Sequence, residues 1–490
     1  PGLRAAMLAA TAASAAAALG TLAVFPAKGR RGLVIAAAAA AAAALLAPAW
    51  PREALASGAG FFAGSYRSVE EWREATGRME LLYYKDGVST TLSVDQEQGQ
   101  RFYRSNGKTD ASTSPSDMAV QVMIGQVGML LHPDPKDVFV LGLGTGVSAA
   151  AVARHPVQSI DIVDIEPAGV AAARFFEGEN RDVLADPRVR YIAADGRNVL
   201  LARPKKYDVI ISDPSDIWVA GVGNLFTKEF YEIARSRLKP GGVMVQWWHT
   251  HALSPDHLKL IVATFRSVFP HTSYWRPNLG DVILAGSADP VPWDLATLSR
   301  KFESVPALAD DLRAIGIWSP TSLFGAFVLA GEDLDRFLSG VTAVHTDDHP
   351  VIEFFAPRYL YADTALGNDR LIESAQRSLF PRIEGFDPAA LDPHEAYLLG
   401  FARASMNRYD SAIRLMEDSV RREPTNPKAW IGLGNQYRGQ SRDADAMAAY
   451  RRALEVSPGE PEASAELAEM LRSHGDAAAA EAVMRAARKE

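Results

Sequence analysis

The sequence predicts an α/β protein with a doubly wound parallel sheet at its centre and helical segments on either side. Short apolar runs alternate with helical stretches between residues 137 and 247, which is typical of a parallel sheet covered by helices on both faces. Two alanine-rich stretches fill the first 50 residues, and a 34-residue period runs from residue 393 onward. The chain therefore combines an alanine-rich N-terminal segment, an α/β domain and a C-terminal repeat array.

Composition narrows the classes of function. The chain has 490 residues, enough for about three domains. Its formal net charge of −8 argues against a nucleic-acid partner, because such proteins are usually basic. It contains no cysteine, which excludes disulfides, zinc–thiolate sites, iron–sulfur clusters and cysteine nucleophiles.

Residues 1–50 are predicted to form two transmembrane helices. Residues 5–25 and 33–50 are almost uncharged and about as long as a bilayer span, and a basic turn at 26–32 separates them. A signal peptide in the first stretch and a soluble alanine-rich helix pair are alternatives. The hairpin implies a membrane protein of the bacterial inner-membrane type, with the membrane as a partner. The positive-inside rule favours an extracytoplasmic position for the later residues, although the face stays unresolved.

A linker at 51–77 leads into a small antiparallel β-domain at 78–113. Residues 80–94 are rich in β-formers and are broken by Asp86-Gly87, a hairpin turn signal. A further strand is expected at 100–104.

A glycine-rich loop follows the first apolar strand of the next domain, 114–300. After a helix at 117–131 and the strand at 137–141, Gly142, Gly144 and Gly146 alternate with Leu143 and Thr145. Such glycines allow a sharp turn and close approach of a ligand, and the helix that follows offers unpaired N–H groups. The loop alone is a weak signal, so its surroundings must support it.

Acidic residues end the strands that follow this loop. Asp164 comes 18 positions after Gly146, where Rossmann-like units place a ribose-binding carboxylate. Asp195 ends the next strand, and Asp213 and Asp216 follow the one after it. Because ligands bind at the carboxyl ends of such strands, the acids predict one site. No Walker lysine is present, which disfavours phosphoryl transfer. Because neither strand-end acid is followed by a basic residue suited to a 2′-phosphate, a nucleoside with free ribose hydroxyls fits better.

These features in this order resemble the spermidine synthases, or polyamine aminopropyltransferases, whose fold is Rossmann-like and of the methyltransferase type. The resemblance covers roughly residues 78–290 and is closest to membrane-fused members of the family. The segments that carry it are 142–146, 163–166, 194–196, 213–216, 224–231 and 238–242, with further similarity at 106–113 and 346–353.

The resemblance implies a transferase that uses S-adenosylmethionine or its decarboxylated form, bound by the glycine loop, with a small-molecule amine or other acceptor. It implies that Asp164 holds the ribose hydroxyls and that Asp195 meets the adenine amino group. Asp213 would be the general base, and Asp216 would position the attacking amine. Asp110 stands roughly where the family has a glutamine that touches the nucleoside.

The chain departs from the family pattern in the amine half of the site. Thr145 replaces an aspartate that holds the amine tail of the donor, Val120 replaces a tyrosine, and Gln121-Val122 replace a His-Glu pair. The acceptor therefore stays open, as does methyl transfer from S-adenosylmethionine. A catalytically degenerate scaffold subunit is the alternative to an enzyme.

Three histidines, His249, His251 and His257, follow Trp247-Trp248. A metal site is conceivable, but no acid accompanies them at a matching spacing, so we interpret them as polar residues beside the pocket and predict no metal.

The last segment, 386–490, resembles tetratricopeptide repeats, and 301–385 extends the synthase-like domain. Three repeat units are about the minimum for a stable array, and such arrays bind protein segments in a concave groove. We therefore expect a protein partner. The positions that match at a spacing of 34 include Pro393, Pro427 and Pro461; Leu399, Leu433 and Leu467; and Ala412, Ala446 and Ala480.

Overall fold

The computed structural model of the chain describes residues 3–24, 30–46, 51–290, 294–383 and 386–487. Its strands form a four-stranded and an eight-stranded sheet. The strands are β1 Glu80–Asp86, β2 Thr91–Glu97, β3 Gln100–Ser105, β4 Lys108–Ser112, β5 Asp137–Leu141, β6 Ser159–Asp164, β7 Val189–Ala193, β8 Tyr207–Ser212, β9 Leu238–His249, β10 His271–Trp275, β11 Asp281–Ser287 and β12 Phe327–Ala330.

The α-helices precede, interleave with and follow these strands, and short 3-10 turns connect several of them. They are α1 Leu3–Val24, α2 Arg30–Leu46, α3 Arg52–Ala56, α4 Ala59–Phe62, α5 Val69–Arg78, α6 Pro115–Leu131, α7 Val147–Ala153, α8 Gly169–Ala173, α9 Glu177–Asn180, α10 Gly196–Ala202, α11 Lys228–Arg237, α12 Pro255–Val268, α13 Leu295–Ser304, α14 Pro306–Ala314, α15 Gly331–Phe337, α16 Val351–Phe355, α17 Ala365–Ala375, α18 Pro393–Ser405, α19 Tyr409–Arg422, α20 Pro427–Gly439, α21 Asp443–Val456, α22 Pro461–Ser473 and α23 Ala477–Ala487.

The large sheet has the order β12-β10-β11-β9-β8-β5-β6-β7. Its five strands from β9 to β7 run parallel, as the alternating pattern predicts. The other three strands are antiparallel additions on the β9 side, which the sequence analysis did not predict. Apolar side chains of the central strands are fully buried on both faces, for example Val138 and Phe139 in β5.

The small sheet has the order β1-β2-β3-β4, with every neighbouring pair antiparallel. The predicted turn at Asp86-Gly87 is confirmed, because β1 ends at Asp86 and the Gly87 N–H donates to the carbonyl of Thr90 at 2.9 Å. Strand β4 was not predicted.

The predicted transmembrane hairpin is contradicted. Helices α1 and α2 occupy the two alanine-rich stretches, but no helix among the described residues combines the length and apolar character needed to cross a membrane. Helix α2 has 17 residues and so extends only about 26 Å, and alanine offers a single methyl group of apolar surface. Of the predicted connector, residues 26–29 lie outside the described part of the chain. The predicted membrane localisation is contradicted with it, and a membrane partner is not shown.

The C-terminal helices form three antiparallel pairs, α18–α19, α20–α21 and α22–α23. Small residues let them approach closely: a Cβ at Gly434 would lie 2.6 Å from the ring of Tyr450. The first pair is fixed to the large sheet beside β12. There the Arg408 guanidinium donates to the carbonyls of Gly325 at 3.1 Å and Phe327 at 2.6 Å. A Cβ at Gly325 would lie 2.7 Å from that of Ala402.

Candidate active site

A cavity of about 720 Å³ lies at the carboxyl ends of β5, β6 and β8, with the small sheet and α6 forming its opposite wall. Ligands bind at this edge in doubly wound sheets. Seven predicted site residues line the cavity, whereas Gly146 and Asp216 do not. The seven are Asp110, Gly142, Gly144, Thr145, Asp164, Asp195 and Asp213.

The glycine loop takes backbone conformations that require glycine. Gly142, Gly144 and Gly146 have φ values of 97°, 51° and 83°. A Cβ at Gly142 would lie 2.2 Å from the carbonyl oxygen of Asp213, so a side chain at this position would push the loop away from β8. Gly146 lies beneath the cavity at the N-terminus of α7 and shapes the loop without lining it.

Asp164 is held by the main chain at the end of β6. Its two carboxylate oxygens accept hydrogen bonds from the N–H groups of Leu143 and Glu166, each at 2.8 Å. Burial raises the pKa of Asp164, and these N–H groups oppose that shift. Asp195 ends the neighbouring strand and caps α10 by accepting from the Asn198 N–H at 2.8 Å. Both side chains keep lone pairs for a ligand that donates hydrogen bonds.

Asp213 lies half-buried at the floor of the cavity beside the glycine loop. The Ser148 hydroxyl donates to its carboxylate at 3.0 Å. Burial raises the pKa of Asp213 to about 7, helped by the charges of Asp110 and Asp281. A carboxylate with such a pKa can accept a proton near neutral pH.

Asp110 reaches the same cavity from β4. Burial and the charge of Asp216 raise the pKa of Asp110 to about 7. The Ser215 hydroxyl lies 3.3 Å from it. The small sheet thus supplies a second carboxyl group with a raised pKa to the amine half of the cavity.

Two family models match segments of the chain. The family model of the spermine/spermidine synthase domain matches residues 117–277, and the tetratricopeptide repeat model matches residues 397–461 and 437–490. The chain carries a spermidine synthase domain and C-terminal tetratricopeptide repeats. The chain spans little more than half the length of several curated relatives that it matches, and up to three quarters in others.

Three relatives illustrate the similarity. A spermidine synthase of Dictyostelium discoideum is 30% identical over 164 residues, which are 33% of this chain and 57% of that protein. Polyamine aminopropyltransferase 2 of Pseudomonas aeruginosa is 29% identical over 268 residues, 52% of this chain and 76% of the relative. Spermidine synthase 1 of Pisum sativum is 35% identical over 236 residues, which are 46% of this chain and 62% of that protein.

Solved structures of the same kind are also similar. A spermidine synthase in complex with the transition-state analogue AdoDATO has 20% identity and a TM-score of 0.39, covering 57% of this chain and 88% of that one. A probable spermidine synthase from Corynebacterium glutamicum has 20% identity and a TM-score of 0.40, covering 54% and 96%.

Neutral groups occupy part of the amine half of the synthase domain. Thr145 is buried, and its hydroxyl donates to the side-chain carbonyl of Gln121. The Gln121 amide in turn donates to the backbone carbonyls of Ser112 at 3.0 Å and Asp117 at 3.2 Å. These residues are held by one another and carry no charge, and Val120 beside them is apolar.

Asp216 lies behind the cavity wall of the synthase domain rather than in it. Its carboxylate pairs with the Lys108 ammonium at 2.6 Å and faces Nε2 of His249 at 3.1 Å. Burial would lower the pKa of Lys108, but the charges of Asp216 and Asp110 raise it above its ordinary value. The predicted role of Asp216 in positioning an amine is therefore not supported by its placement.

Two acids that the sequence analysis did not single out line the amine half. Asp281 begins β11 and accepts from the Trp247 indole N–H at 3.0 Å, and burial raises its pKa to about 6. Asp117 lies in the first turn of α6, where the Ser112 hydroxyl donates to it. A signal existed for Asp281, since it follows a turn and opens an apolar run, but its strand was not predicted.

Proposed function

We propose that the chain is an aminopropyltransferase whose donor is decarboxylated S-adenosylmethionine and whose acceptor is an amine. The observation that carries this proposal is Asp213 at the cavity floor, with a pKa raised to about 7. It lies beside a glycine loop and a strand-end carboxylate, in a domain of the spermidine synthase type. A general base with such a pKa is suited to removing a proton from an ammonium group.

The donor half of the cavity has the groups that a nucleoside needs. Asp164 keeps carboxylate lone pairs toward the cavity and would accept hydrogen bonds from the ribose hydroxyls. Asp195 would accept from the adenine amino group. The glycine loop lets the nucleoside approach the main chain, because no side chain intervenes at Gly142 or Gly144.

The charge of the cavity favours a cationic donor. Its lining includes a single basic residue, Arg197, which is paired with Asp347. Decarboxylated S-adenosylmethionine carries a sulfonium and an ammonium, whereas S-adenosylmethionine adds a carboxylate that would find no free cation among the described lining residues. Acidic lining residues are far more numerous: Asp110, Asp117, Asp164, Glu166, Asp195, Asp213, Asp281 and Asp347.

The reaction can proceed with groups already in place. Asp213 accepts a proton from the acceptor ammonium and so exposes the nitrogen lone pair. That lone pair forms a C–N bond to the aminopropyl carbon as the C–S bond breaks. The electron pair of the C–S bond passes to the sulfonium sulfur and gives neutral methylthioadenosine. The sulfonium is itself a good leaving group, and the protein's contribution is to hold the reacting atoms in line.

The acids at the far side of the cavity indicate what kind of amine is accepted. Asp281 and Asp117 are close enough for the charge of Asp117 to raise the pKa of Asp281. A second cationic group on the acceptor would lie between them and relieve that repulsion. We therefore expect an acceptor with two or more amino groups.

The C-terminal repeats point to a protein partner. Two matches of the repeat model cover residues 397–490 between them, and repeats of this type commonly present a concave surface to peptide segments.

The full chain can test this proposal through donor binding and turnover. A thermal-shift titration would compare decarboxylated S-adenosylmethionine, S-adenosylmethionine and methylthioadenosine; a ligand at a hundred times its Kd adds about 2.7 kcal/mol of stability. We expect the decarboxylated donor to give the largest shift, and methylthioadenosine release with diamines to require Asp213. If none of the three ligands stabilises the protein, the enzyme proposal fails and a scaffold role replaces it.

A further inference from the structure

We propose that Asp216, His249 and His251 form a binding site for a divalent transition-metal ion such as Zn²⁺, next to the cavity but outside it. The ligand atoms of these three residues all lie within 4.8 Å of one another. None of the three lines the cavity, so this site would be distinct from the donor and acceptor positions. The inference does not depend on the proposed transfer reaction.

The hydrogen bonding of His249 prepares one ring nitrogen for a metal. Its Nδ1 lies 2.8 Å from the backbone carbonyl of His251, which can only accept, so Nδ1 carries the proton. Metal-binding histidines commonly have this arrangement, because it fixes the tautomer and directs the other nitrogen to the ion. The side chain is fully buried, which makes an unused ring nitrogen costly.

That other nitrogen, Nε2, has no hydrogen-bond partner in the part of the chain that the structure describes. It nevertheless lies 3.1 Å from Oδ1 of Asp216. Two ligands on one zinc ion, each at about 2.0–2.1 Å, lie roughly 3 Å apart when the angle at the metal is between 90° and 109°. The separation is therefore suitable for two ligands that share an ion.

His251 supplies the third ligand. Its ring stacks on that of His249 with centroids 4.0 Å apart, and it is only partly buried, so a small rotation can bring a ring nitrogen to the ion. Two imidazoles and one carboxylate are a common donor set for zinc and for other first-row divalent ions, with a further position left for water. The chain has no cysteine to compete for such ions.

A cation already occupies part of this position, because the Lys108 ammonium contacts both oxygens of Asp216, at 2.7 and 2.6 Å. A metal ion would have to displace it. Lys108 also interacts with the charge of Asp110, which lines the cavity, so the displaced ammonium has an alternative partner. Occupancy of the metal site would thus change the charge of the acceptor half.

The sequence analysis predicted no metal because it looked for an acid near the histidines. The acid instead comes from Asp216, 33 positions before His249, in the loop that follows the neighbouring strand β8. The third histidine of that segment, His257, lies on α12 against the rings of Phe355 and Tyr359 and is not part of the cluster.

The test is metal binding by the full chain. Protein stripped with a chelator would be titrated with Zn²⁺ by calorimetry, and the zinc retained after gel filtration would be measured by mass spectrometry. We expect one high-affinity ion per chain. His251→Gln should bind at least about tenfold more weakly, the loss typical of disturbing a metal's ligand shell. His257→Gln is the matched control and should bind as the wild type does.

Lys108→Met provides the decisive comparison. Removing the competing ammonium should strengthen zinc binding. If Lys108, Asp216 and His249 form only an ion-pair cluster, neither the wild type nor Lys108→Met will bind zinc with high affinity. His249→Gln reports on the fully buried ligand, and its melting curve shows whether the variant folds. Absence of tightly bound zinc from both wild type and Lys108→Met would overturn the proposal, as would an equal loss in His251→Gln and His257→Gln. Donor binding is measured separately and tests the proposed function, so a failure of the metal site can be distinguished from a failure of the transfer reaction.

Discussion

The two halves of the cavity are built differently. In the donor half, the glycine loop, Asp164 and Asp195 follow consecutive parallel strands, and main-chain N–H groups hold Asp164 in place. In the acceptor half, Asp110 and Asp117 come from the consecutive elements β4 and α6, whereas Asp281 comes from β11, far along the chain from both. The donor half depends on local sequence and the acceptor half depends on topology.

This difference determines how substitutions in each half affect the protein. Residues of the donor half contact the main chain as well as the ligand position, so substitutions there alter both the local fold and ligand binding. The acceptor half consists of side chains on separate elements, and these can be exchanged one at a time. Of the positions where this chain departs from the family pattern, Val120 and Gln121 lie on α6 in that half, whereas Thr145 lies in the glycine loop.

The largest effect is expected where the two halves meet. Asp213→Asn removes the base while keeping the size of the side chain and its contact with Ser148. We expect turnover to fall by about 10²–10⁴-fold, the usual contribution of a general base. Donor binding, followed by thermal shift, should change little. A variant that retains wild-type turnover would assign the base to another residue.

A smaller loss is expected in the donor half. Asp164→Ala removes hydrogen bonds to a charged group, each worth about 1.5–3 kcal/mol, so donor Kd should rise roughly 10–100-fold. Calorimetry with decarboxylated S-adenosylmethionine measures this change. Asp161→Asn is the matched control, since Asp161 lies on the same strand but pairs with Arg190 outside the cavity. Equal losses in both variants would mean that the strand, not the ligand contact, is responsible.

The acceptor half should respond separately. Asp281→Asn removes a negative charge expected to hold the distal ammonium, and we expect the KM for a diamine to rise about tenfold, or about 1.4 kcal/mol. The donor Kd should stay as in the wild type. A rise in donor Kd instead would place Asp281 in the donor half and remove the distinction between the two regions.

The smallest effect concerns pH. Because Asp213 must be ionised and its pKa is raised to about 7, turnover should increase as pH rises through that value. The hydrogen bond from Ser148 lowers this pKa, so Ser148→Ala should move the rising limb to higher pH, by up to about one unit. Asp281 raises it, so Asp281→Asn should move the limb to lower pH. Shifts in the same direction in both variants would contradict the assignment.

The sequence was sufficient for the parallel strands, the glycine loop and the strand-end acids, because period and spacing are local properties. It could not show that Asp216 lies outside the cavity, because residue spacing does not determine which way a side chain in a loop is directed. Asp281 was missed for a different reason: β11 follows β10 directly as an antiparallel partner, with no helix between them to give the alternating pattern of a parallel sheet.

The alanine-rich N-terminus shows the opposite error. Length and absence of charge were read as a membrane span, and helices do form there, but alanine contributes too little apolar surface per residue to support that interpretation. Helix formation and membrane insertion depend on different properties of the side chain. Alanine favours the first strongly and the second weakly.

The contact between Arg408 and the carbonyls of Gly325 and Phe327 has a consequence for solubility. Strand β12 ends the large sheet, and an uncovered terminal strand offers its carbonyl and N–H groups to strands of other molecules. The repeat array reaches the start of this strand, where the Arg408 guanidinium binds the Phe327 carbonyl and α18 packs on the turn that precedes β12. Without the repeats the Phe327 carbonyl would lose this donor, so we expect a chain that ends before residue 386 to self-associate more readily through β12 than the full chain does.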